Sequence, residues 1–368
     1  MKSGERVVFL DYLRCVACLM VMVVHACETF YFGDDGGLQF LSRGDMFWST
    51  FVDSSVRASV PLFVMASSYL LFPLSKPTGE FFRRRLARVL VPFAIWAAAY
   101  TVWWHGDWRQ LLFNFPMAVG GHLWFVPMLL GLYLLMPLLS PWAEKATARE
   151  LRGWIAVWLF TASFPFLRML ARDVLGAPGY GIDQSLYGEC PWNSFGMFHY
   201  VSGFFGYLLL GFYARKFLPR LSWRATLAAA IPLWTVGMAI VWLGFYSRIP
   251  FSGTFPVKGT YAQVVDLEHS WEFCGTGVAM TVAAYFLVLR KFDWRGWLYG
   301  HVVRPVSEAS YGMYLMHMII LTPVAAWLHP RLGNPACILA IAVATYAVAA
   351  VASVAVRRVP FVGKWLCG

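Results

Sequence analysis

The chain has 368 residues, of which 59% are hydrophobic, 18% aromatic and only 13% charged, and its mean hydropathy is +0.58. Because soluble globular domains carry about 25% charged residues, this composition excludes an ordinary soluble protein. The net charge of +11 suggests nucleic acid at first sight, but the basic residues concentrate in alternate loops, as the positive-inside rule predicts for a membrane protein. We therefore expect no nucleic-acid partner.

The hydrophobic runs predict an all-α, polytopic membrane protein with about ten transmembrane helices, because backbone groups in lipid must be hydrogen-bonded within their own segment. In chain order the predicted spans are residues 7–31, 47–73, 87–106, 121–141, 154–170, 198–217, 225–246, 270–289, 308–328 and 335–356. The alternation of basic loops predicts that both termini are cytoplasmic. The first span lacks a small-residue cleavage pattern, so we expect no cleavable signal peptide. The sequence contains no segment that resembles an interdomain linker, so residues 1–368 are expected to form a single domain.

The first span carries four ionisable residues, Asp11, Arg14, His25 and Glu28. Arg14 and His25 are eleven residues apart. On a helix this spacing places them about 20° apart in azimuth and about 16 Å apart along one face. Ionisable groups inside a membrane are costly and usually face a protein interior or a water-filled cavity. The spacing therefore predicts a polar stripe that runs along most of the first span.

Two interpretations of this stripe are open. In the structural one, Asp11 and Arg14 form an intrahelical salt bridge and His25 is a polar packing residue. The presence of an arginine and a histidine on one face, each three residues from a carboxylate, favours a functional stripe instead. A histidine beside a carboxylate suits general-base catalysis on an alcohol. Glu28 is the first candidate for that carboxylate, and Asp53 or an acid of an outer loop are others.

Two groups of arginines follow along the chain. Arg57 lies one helical turn after Asp53, so it either neutralises that acid or faces a substrate. The run Arg83–Arg85, with Arg88, opens the third span, where a topogenic charge cluster is the simpler explanation. Arg85 and Arg88 are nevertheless one turn apart and can present two guanidinium groups to a phosphate-bearing ligand.

Polar residues also mark the fourth and ninth spans. Trp124 is expected in an interfacial aromatic belt, whereas His122 beside it is open to either a structural or a functional interpretation. In the ninth span, Ser310, Tyr314 and His317 follow one another at one-turn spacings. Interhelical hydrogen bonding is the simpler explanation of that polar face.

The predicted outer loops 107–120, 171–197 and 247–269 are long and rich in Gly, Pro and aromatic residues. Loops of this length are usually functional or disordered, so we expect a working surface on the outer side. The seven cysteines lack a paired or metal-type spacing, apart from Cys15 and Cys18 on an apolar helix. They are predicted to be buried small side chains, and no metal is expected.

Four segments together resemble the acyltransferase-3 family of integral membrane acyltransferases. They are the R-x10-H element Arg14–His25, the R-x-x-R element Arg85–Arg88, HLWF at 122–125 with the LYLLMP turn, and SYGMYLMH at 310–317. They occur in the family's order and span most of the chain. The second span is most similar to the branch that acetylates enterobacterial common antigen and related surface glycans. It differs at Ser68, where that branch usually has Gly, which bears on how closely helices pack at this point.

The resemblance implies O-acyl transfer from cytoplasmic acyl-CoA, usually acetyl-CoA, to a hydroxyl of a surface or lipid-linked glycan on the outer face of the bacterial inner membrane. It implies an essential His25, which we pair with Glu28 as catalytic residues. It also implies donor binding by Arg14, Arg85 and Arg88. The residues assigned to the acceptor side are Arg57, His122, Trp124, Tyr314 and His317. The expected partners are acyl-CoA, the glycan or lipid-linked saccharide, and membrane lipid.

Three alternatives remain at this stage. His25 either acts as a base for direct attack or carries the acyl group itself, and an acyl-His25 intermediate would also move the acyl group across the membrane.

A proton-coupled transporter or exporter of a glycan or small molecule would also use intramembrane charges. Such transporters usually show repeated halves, but the R-x10-H helix has no counterpart in residues 198–356. A membrane anchor or assembly partner would leave the intramembrane charges unexplained.

Overall fold

The computed structural model describes residues 6–33, 35–105, 109, 121–171, 175–176, 200–360 and 362–368. Within these residues six helices are long and apolar enough to cross a membrane. They are Val8–Glu28, Thr78–Trp104, Gly121–Lys145, Trp223–Tyr246, Tyr299–Leu328 and Ala336–Arg358. There is a seventh candidate if the helical segments Tyr261–Trp271 and Thr276–Leu289, whose axes differ by 48° at a short break, form one span. The protein is thus mostly helical and suited to a multi-pass arrangement.

The α-helices of the first half of the chain are α1 (Val8–Glu28), α2 (Arg43–Val56), α3 (Ser59–Leu71), α4 (Thr78–Tyr100), α5 (Phe125–Lys145), α6 (Ala148–Ala162) and α7 (Phe164–Met169). Those of the second half are α8 (Phe205–Lys216), α9 (Trp223–Tyr246), α10 (Tyr261–Glu268), α11 (Thr276–Leu289), α12 (Arg304–Leu328), α13 (Ala336–Arg358) and α14 (Val362–Cys367). Short π or 3-10 turns extend four of them, at Thr101–His105, Gly121–Trp124, His269–Trp271 and Tyr299–Val303. Each of the ten predicted spans overlaps helix among the described residues, but only six helices, or seven with the bent pair, are long and apolar enough to cross a membrane.

The second predicted span, 47–73, is one of the broken ones. It consists of α2 and α3, which meet at Arg57 and Ala58. Pro61 lies in the first turn of α3 and has no N–H to bond to the carbonyl of Arg57, so a continuous helix would lose that hydrogen bond. The break leaves Arg57 at the end of α2, inside the protein rather than along a lipid-facing surface.

The all-α prediction missed a small antiparallel sheet. Strand β1 (Leu38–Phe40) follows α1 and pairs with β2 (Val257–Gly259), which follows α9, in the register Leu38↔Gly259 and Phe40↔Val257. Phe40 is fully buried, and the N–H of Gln39 donates to the carbonyl of Tyr31, so the sheet lies next to the end of α1 that carries His25. The predicted outer loops 107–120 and 171–197, with Asp183 and Glu189, lie almost entirely outside the described residues, as does Cys190.

Helix α1 is the central helix of the bundle and packs against α2, α3, α12 and α13. Leu13, Ala17, Met22 and Ala26 on it are fully buried. A helix that is surrounded in this way cannot present its polar side chains to lipid. The stripe that contains Arg14 must therefore face the protein interior.

Helices α3 and α8 approach closely at Ser68. Its hydroxyl donates a hydrogen bond to the carbonyl of Leu208 and is fully buried. Opposite it stands Gly211, where a Cβ atom would lie 2.8 Å from the backbone oxygen of Met65 and 2.8 Å from the Cβ of Ser68. The serine at this position therefore does not prevent close packing, because the facing helix supplies the glycine.

Candidate active site

A cavity of about 430 Å³ runs beside α1 through the interior of the bundle. Of the residues singled out by the sequence, those that line it are Arg14, His25, Glu28, Arg57, Arg85, Arg88, His122, Trp124, Ser310 and Tyr314. His317 is not among the lining residues and is completely buried behind His25. The cavity thus brings together side chains from α1, α3, α4, α5 and α12, and Arg57 from the break between α2 and α3.

The imidazole of His25 is bonded to Glu28, one turn further along α1. Nδ1 of His25 lies 2.6 Å from Oε2 of Glu28. An ionised carboxylate only accepts hydrogen bonds, so Nδ1 is the donor in this contact, and in the neutral imidazole Nε2 keeps its lone pair. The side chain of His25 is only 15% exposed and faces the cavity. This arrangement suits the removal of a proton from a hydroxyl.

Two further histidines surround His25. Its ring centroid lies 5.0 Å from that of His317 and 6.3 Å from that of His122, and the latter two are 5.0 Å apart. Nδ1 of His317 is 2.6 Å from the carbonyl oxygen of Tyr314. Neither ring nitrogen of His122 has a hydrogen-bond partner in the described part of the chain. Since buried polar atoms are normally bonded, His122 is suited to contact a ligand in the cavity.

Arg57 forms the predicted ion pair with Asp53, and it also lies on the cavity, where its contact with a substrate stays a prediction. Its guanidinium group is 2.7 Å from Asp53, with both side chains buried, and it also lines the cavity. The hydroxyl of Tyr31 donates to Asp53 at 3.0 Å and accepts from Arg57 at 3.3 Å. The guanidinium carbon stacks 4.2 Å from the ring centroid of Trp271. Asp53 is therefore committed to Arg57, and the acid that contacts His25 is Glu28.

An aromatic wall completes this end of the cavity. Trp124 packs on Phe273, with ring centroids 5.3 Å apart, and both rings line the cavity. Glu268 lies beside them and also lines it. Sequence reasoning did not select Tyr31, Trp271 or Phe273, because aromatic residues are too frequent in this chain for any one to stand out. Only their convergence around Arg57 identifies them.

The opposite end of the cavity is basic. Arg14 is half-buried there and, within the described ranges, forms no ion pair or side-chain hydrogen bond. The structural interpretation of the stripe, an Asp11–Arg14 salt bridge, is wrong. Asp11 instead accepts from Arg6 at 2.7 and 2.9 Å, from Ser307 at 2.7 Å and from Tyr299 at 2.8 Å. The charge of Arg14 is left available to a ligand.

Arg85 and Arg88 reach the same end of the cavity from α4. Neither makes an ion pair with any residue that the structure describes, whereas Arg84 pairs with Glu80 at 2.7 Å on the outside of the helix. A purely topogenic cluster would not need to place two of its arginines on the cavity. Together with Arg14 they form a site that fits phosphate groups.

Comparison with known families decides the class of protein. A family model for an acyltransferase domain matches residues 7–354, which is nearly the whole chain. The chain belongs to this acyltransferase family. Its apolar helices and this membership make it a membrane acyltransferase. No curated protein and no solved structure matches the chain.

Proposed function

We propose that this acyltransferase moves an acyl group, most simply acetyl, from acyl-CoA on the cytoplasmic side to a hydroxyl of a surface or lipid-linked glycan on the outer side of the bacterial inner membrane. The supporting observation is that one cavity is lined by Arg14 at its basic end and by His25 and Glu28 at the other. The two ends are about 16 Å apart along α1. The pantetheine arm of CoA is long enough to bridge that distance.

Arg14, Arg85 and Arg88 would hold the phosphates of the CoA nucleotide. This role fits their lack of carboxylate partners among the described residues, because charge-assisted hydrogen bonds to phosphate would replace the water they lose. The thioester then lies further along the cavity, near His25.

His25 carries out the proton transfer. Its Nε2 accepts the proton of the sugar hydroxyl while the oxygen bonds to the thioester carbonyl carbon, and Glu28 stabilises the imidazolium ion that forms. The C–S bond breaks when the tetrahedral intermediate collapses. The imidazolium returns its proton to the departing thiolate, so that the products are the ester and free CoA.

The acceptor would lie against Trp124, with Arg57 and His122 supplying polar contacts. The ring nitrogens of His122, which have no partner among the described residues, would bond either the sugar or the reacting carbonyl oxygen. Tyr314 and His317 are assigned to holding this wall in place, since the hydroxyl of Tyr314 donates to the carbonyl of His122 at 2.5 Å. Glycans of the enterobacterial-common-antigen type are the acceptor class that the second span favours.

The direction of transfer rests on a proposed topology of ten spans with both termini cytoplasmic. The basic residues that flank alternate helices, among them Arg85 and Arg88, would then lie on the inner side. Single cysteines placed after α3 and after α9 in a cysteine-free background should be labelled from opposite sides of the membrane. Labelling of both from one side would contradict the topology.

Incubation of the purified protein with acetyl-CoA and a lipid-linked or soluble glycan tests the activity. We expect thioester loss that depends on acceptor and is matched by ester formation. A proton-coupled transporter would accumulate substrate in proteoliposomes without consuming thioester. Rapid quenching before acceptor is added separates direct transfer from an acyl-His25 intermediate, since only the latter leaves label on the protein.

A further inference from the structure

A second cavity, of about 270 Å³, shares no lining residue with the first. It lies between the starts of α1 and α9 and the segments that follow α8 and α11. Arg6, on its rim, is 2.5 Å from Glu308, which lines the first cavity. The two cavities are therefore at the same end of the helical bundle, the end that carries the basic residues.

The second cavity is strongly basic. Arg220, Arg290, Lys291 and Arg295 line it, together with one acid, Asp293. Arg290 donates to the carbonyls of residues 218 and 219 and Lys291 to that of residue 221, so backbone oxygens orient these cations without neutralising them. Arg220 and Arg295 are exposed and form no ion pair with a described residue. Such an excess of positive over negative charge attracts anions.

Apolar and aromatic side chains accompany these charges. Val8, Phe9 and Leu287 form part of the cavity wall. Beside it Trp294 is 62% exposed and Trp297 is 72% exposed. Exposed tryptophans at helix ends are typical of the membrane–water interface. A ligand that suits the cavity therefore combines an anionic group with apolar chains.

We propose that this second cavity binds the headgroup of an anionic phospholipid. The phosphodiester lies among Arg220, Arg290 and Arg295, and the acyl chains follow the apolar wall of Val8 and Leu287 into the bilayer. Basic pockets between transmembrane helices are established receptors for phosphate-bearing lipid headgroups. The lipid would brace the loop after α8 against the end of α11, independently of the acyl-transfer chemistry.

The test measures binding of phosphatidylglycerol to the purified full-length protein in detergent, by native mass spectrometry. The double variant Arg220→Ala/Arg295→Ala should weaken binding about 30-fold, since two cations near the headgroup are lost. The matched control is Arg224→Ala/Arg358→Ala, which removes the same charge from exposed positions that do not line the cavity. The control should bind phosphatidylglycerol like the wild type, and phosphatidylcholine should bind poorly to all three proteins.

Competition experiments distinguish a lipid phosphate from the other phosphate-bearing ligands. Millimolar inorganic phosphate should leave the lipid bound, because it lacks the apolar chains. Displacement by inorganic phosphate would mean a simple anion site, and displacement by CoA would assign the cavity to the donor. Either result, or equal lipid binding by the Arg220→Ala/Arg295→Ala variant and its control, would overturn the proposal. The affinity for acetyl-CoA, measured in parallel, should be the same in all variants.

Discussion

Nδ1 of His25 lies 2.6 Å from Oε2 of Glu28, and both side chains face the cavity that Arg14 enters eleven residues earlier on the same helix. One helix therefore carries the proposed base, the acid that orients it and a cation of the donor site. Because α1 is packed on several sides, these groups are held in place by the core of the bundle. The chemistry proposed for this protein depends on that single helix.

His25→Ala should lower kcat for acyl transfer by about 100- to 10,000-fold, the usual contribution of a general base. Glu28→Gln keeps the size of the side chain but removes the charge that stabilises the imidazolium ion, so it should lower kcat more than it changes KM. The affinity for acetyl-CoA should be retained in both variants. His329→Ala is the control, since that ring lies outside the cavity and bonds to Thr29 at 2.9 Å. A His25→Ala protein that transfers at nearly the wild-type rate would refute the assignment.

Arg85→Ala and Arg88→Ala should each weaken acetyl-CoA binding by about 10- to 100-fold, because each removes about 1.5–3 kcal/mol of charge-assisted hydrogen bonding. Titration calorimetry on the purified protein measures this directly. Arg83→Ala is the matched control, since Arg83 belongs to the same basic run but does not line the cavity. Equal losses in all three variants would point to a general effect of surface charge.

Asp53→Ala should destabilise the protein by about 3–5 kcal/mol, because it leaves the buried guanidinium group of Arg57 without its carboxylate. Thermal unfolding in detergent should show a clearly lower Tm for Asp53→Ala than for the wild type. The double variant Asp53→Asn/Arg57→Gln leaves no unpaired charge and should recover much of that loss. If Arg57 also binds the acceptor, the double variant keeps a raised KM for the glycan. A wild-type KM in the double variant would restrict this pair to a structural role.

Gly211→Ala should destabilise the protein by about 1–3 kcal/mol, the usual cost of overpacking, since its methyl group would press on the backbone of Met65 and on Ser68. Gly131→Ala provides the comparison, because a Cβ atom there would meet nothing within 4 Å. Thermal unfolding followed by tryptophan fluorescence should separate the two variants. Equal Tm values for the two variants would show that α3 and α8 can move apart without loss of stability.

The local geometry of α1 was predictable from sequence. The helical repeat determines which residues share a face whatever the neighbours are, so the alignment of Arg14 with His25 followed from their spacing alone. The same holds for Glu28 beside His25 and for Asp53 beside Arg57, which are separated by about one turn. Composition likewise predicted a multi-pass helical protein, because long apolar segments are not tolerated in water.

Contacts between distant segments required the tertiary structure. A helical repeat does not determine which other helix packs on a given face. The positions of His122 and His317 around His25 could therefore not be predicted from the sequence. For the same reason Asp11 proved to pair with Arg6 and Ser307 instead of Arg14. The pairing of β1 with β2, more than two hundred residues apart, is equally non-local. The sequence by itself determined the polar face of α1, and the packing of the other helices decided what that face encloses.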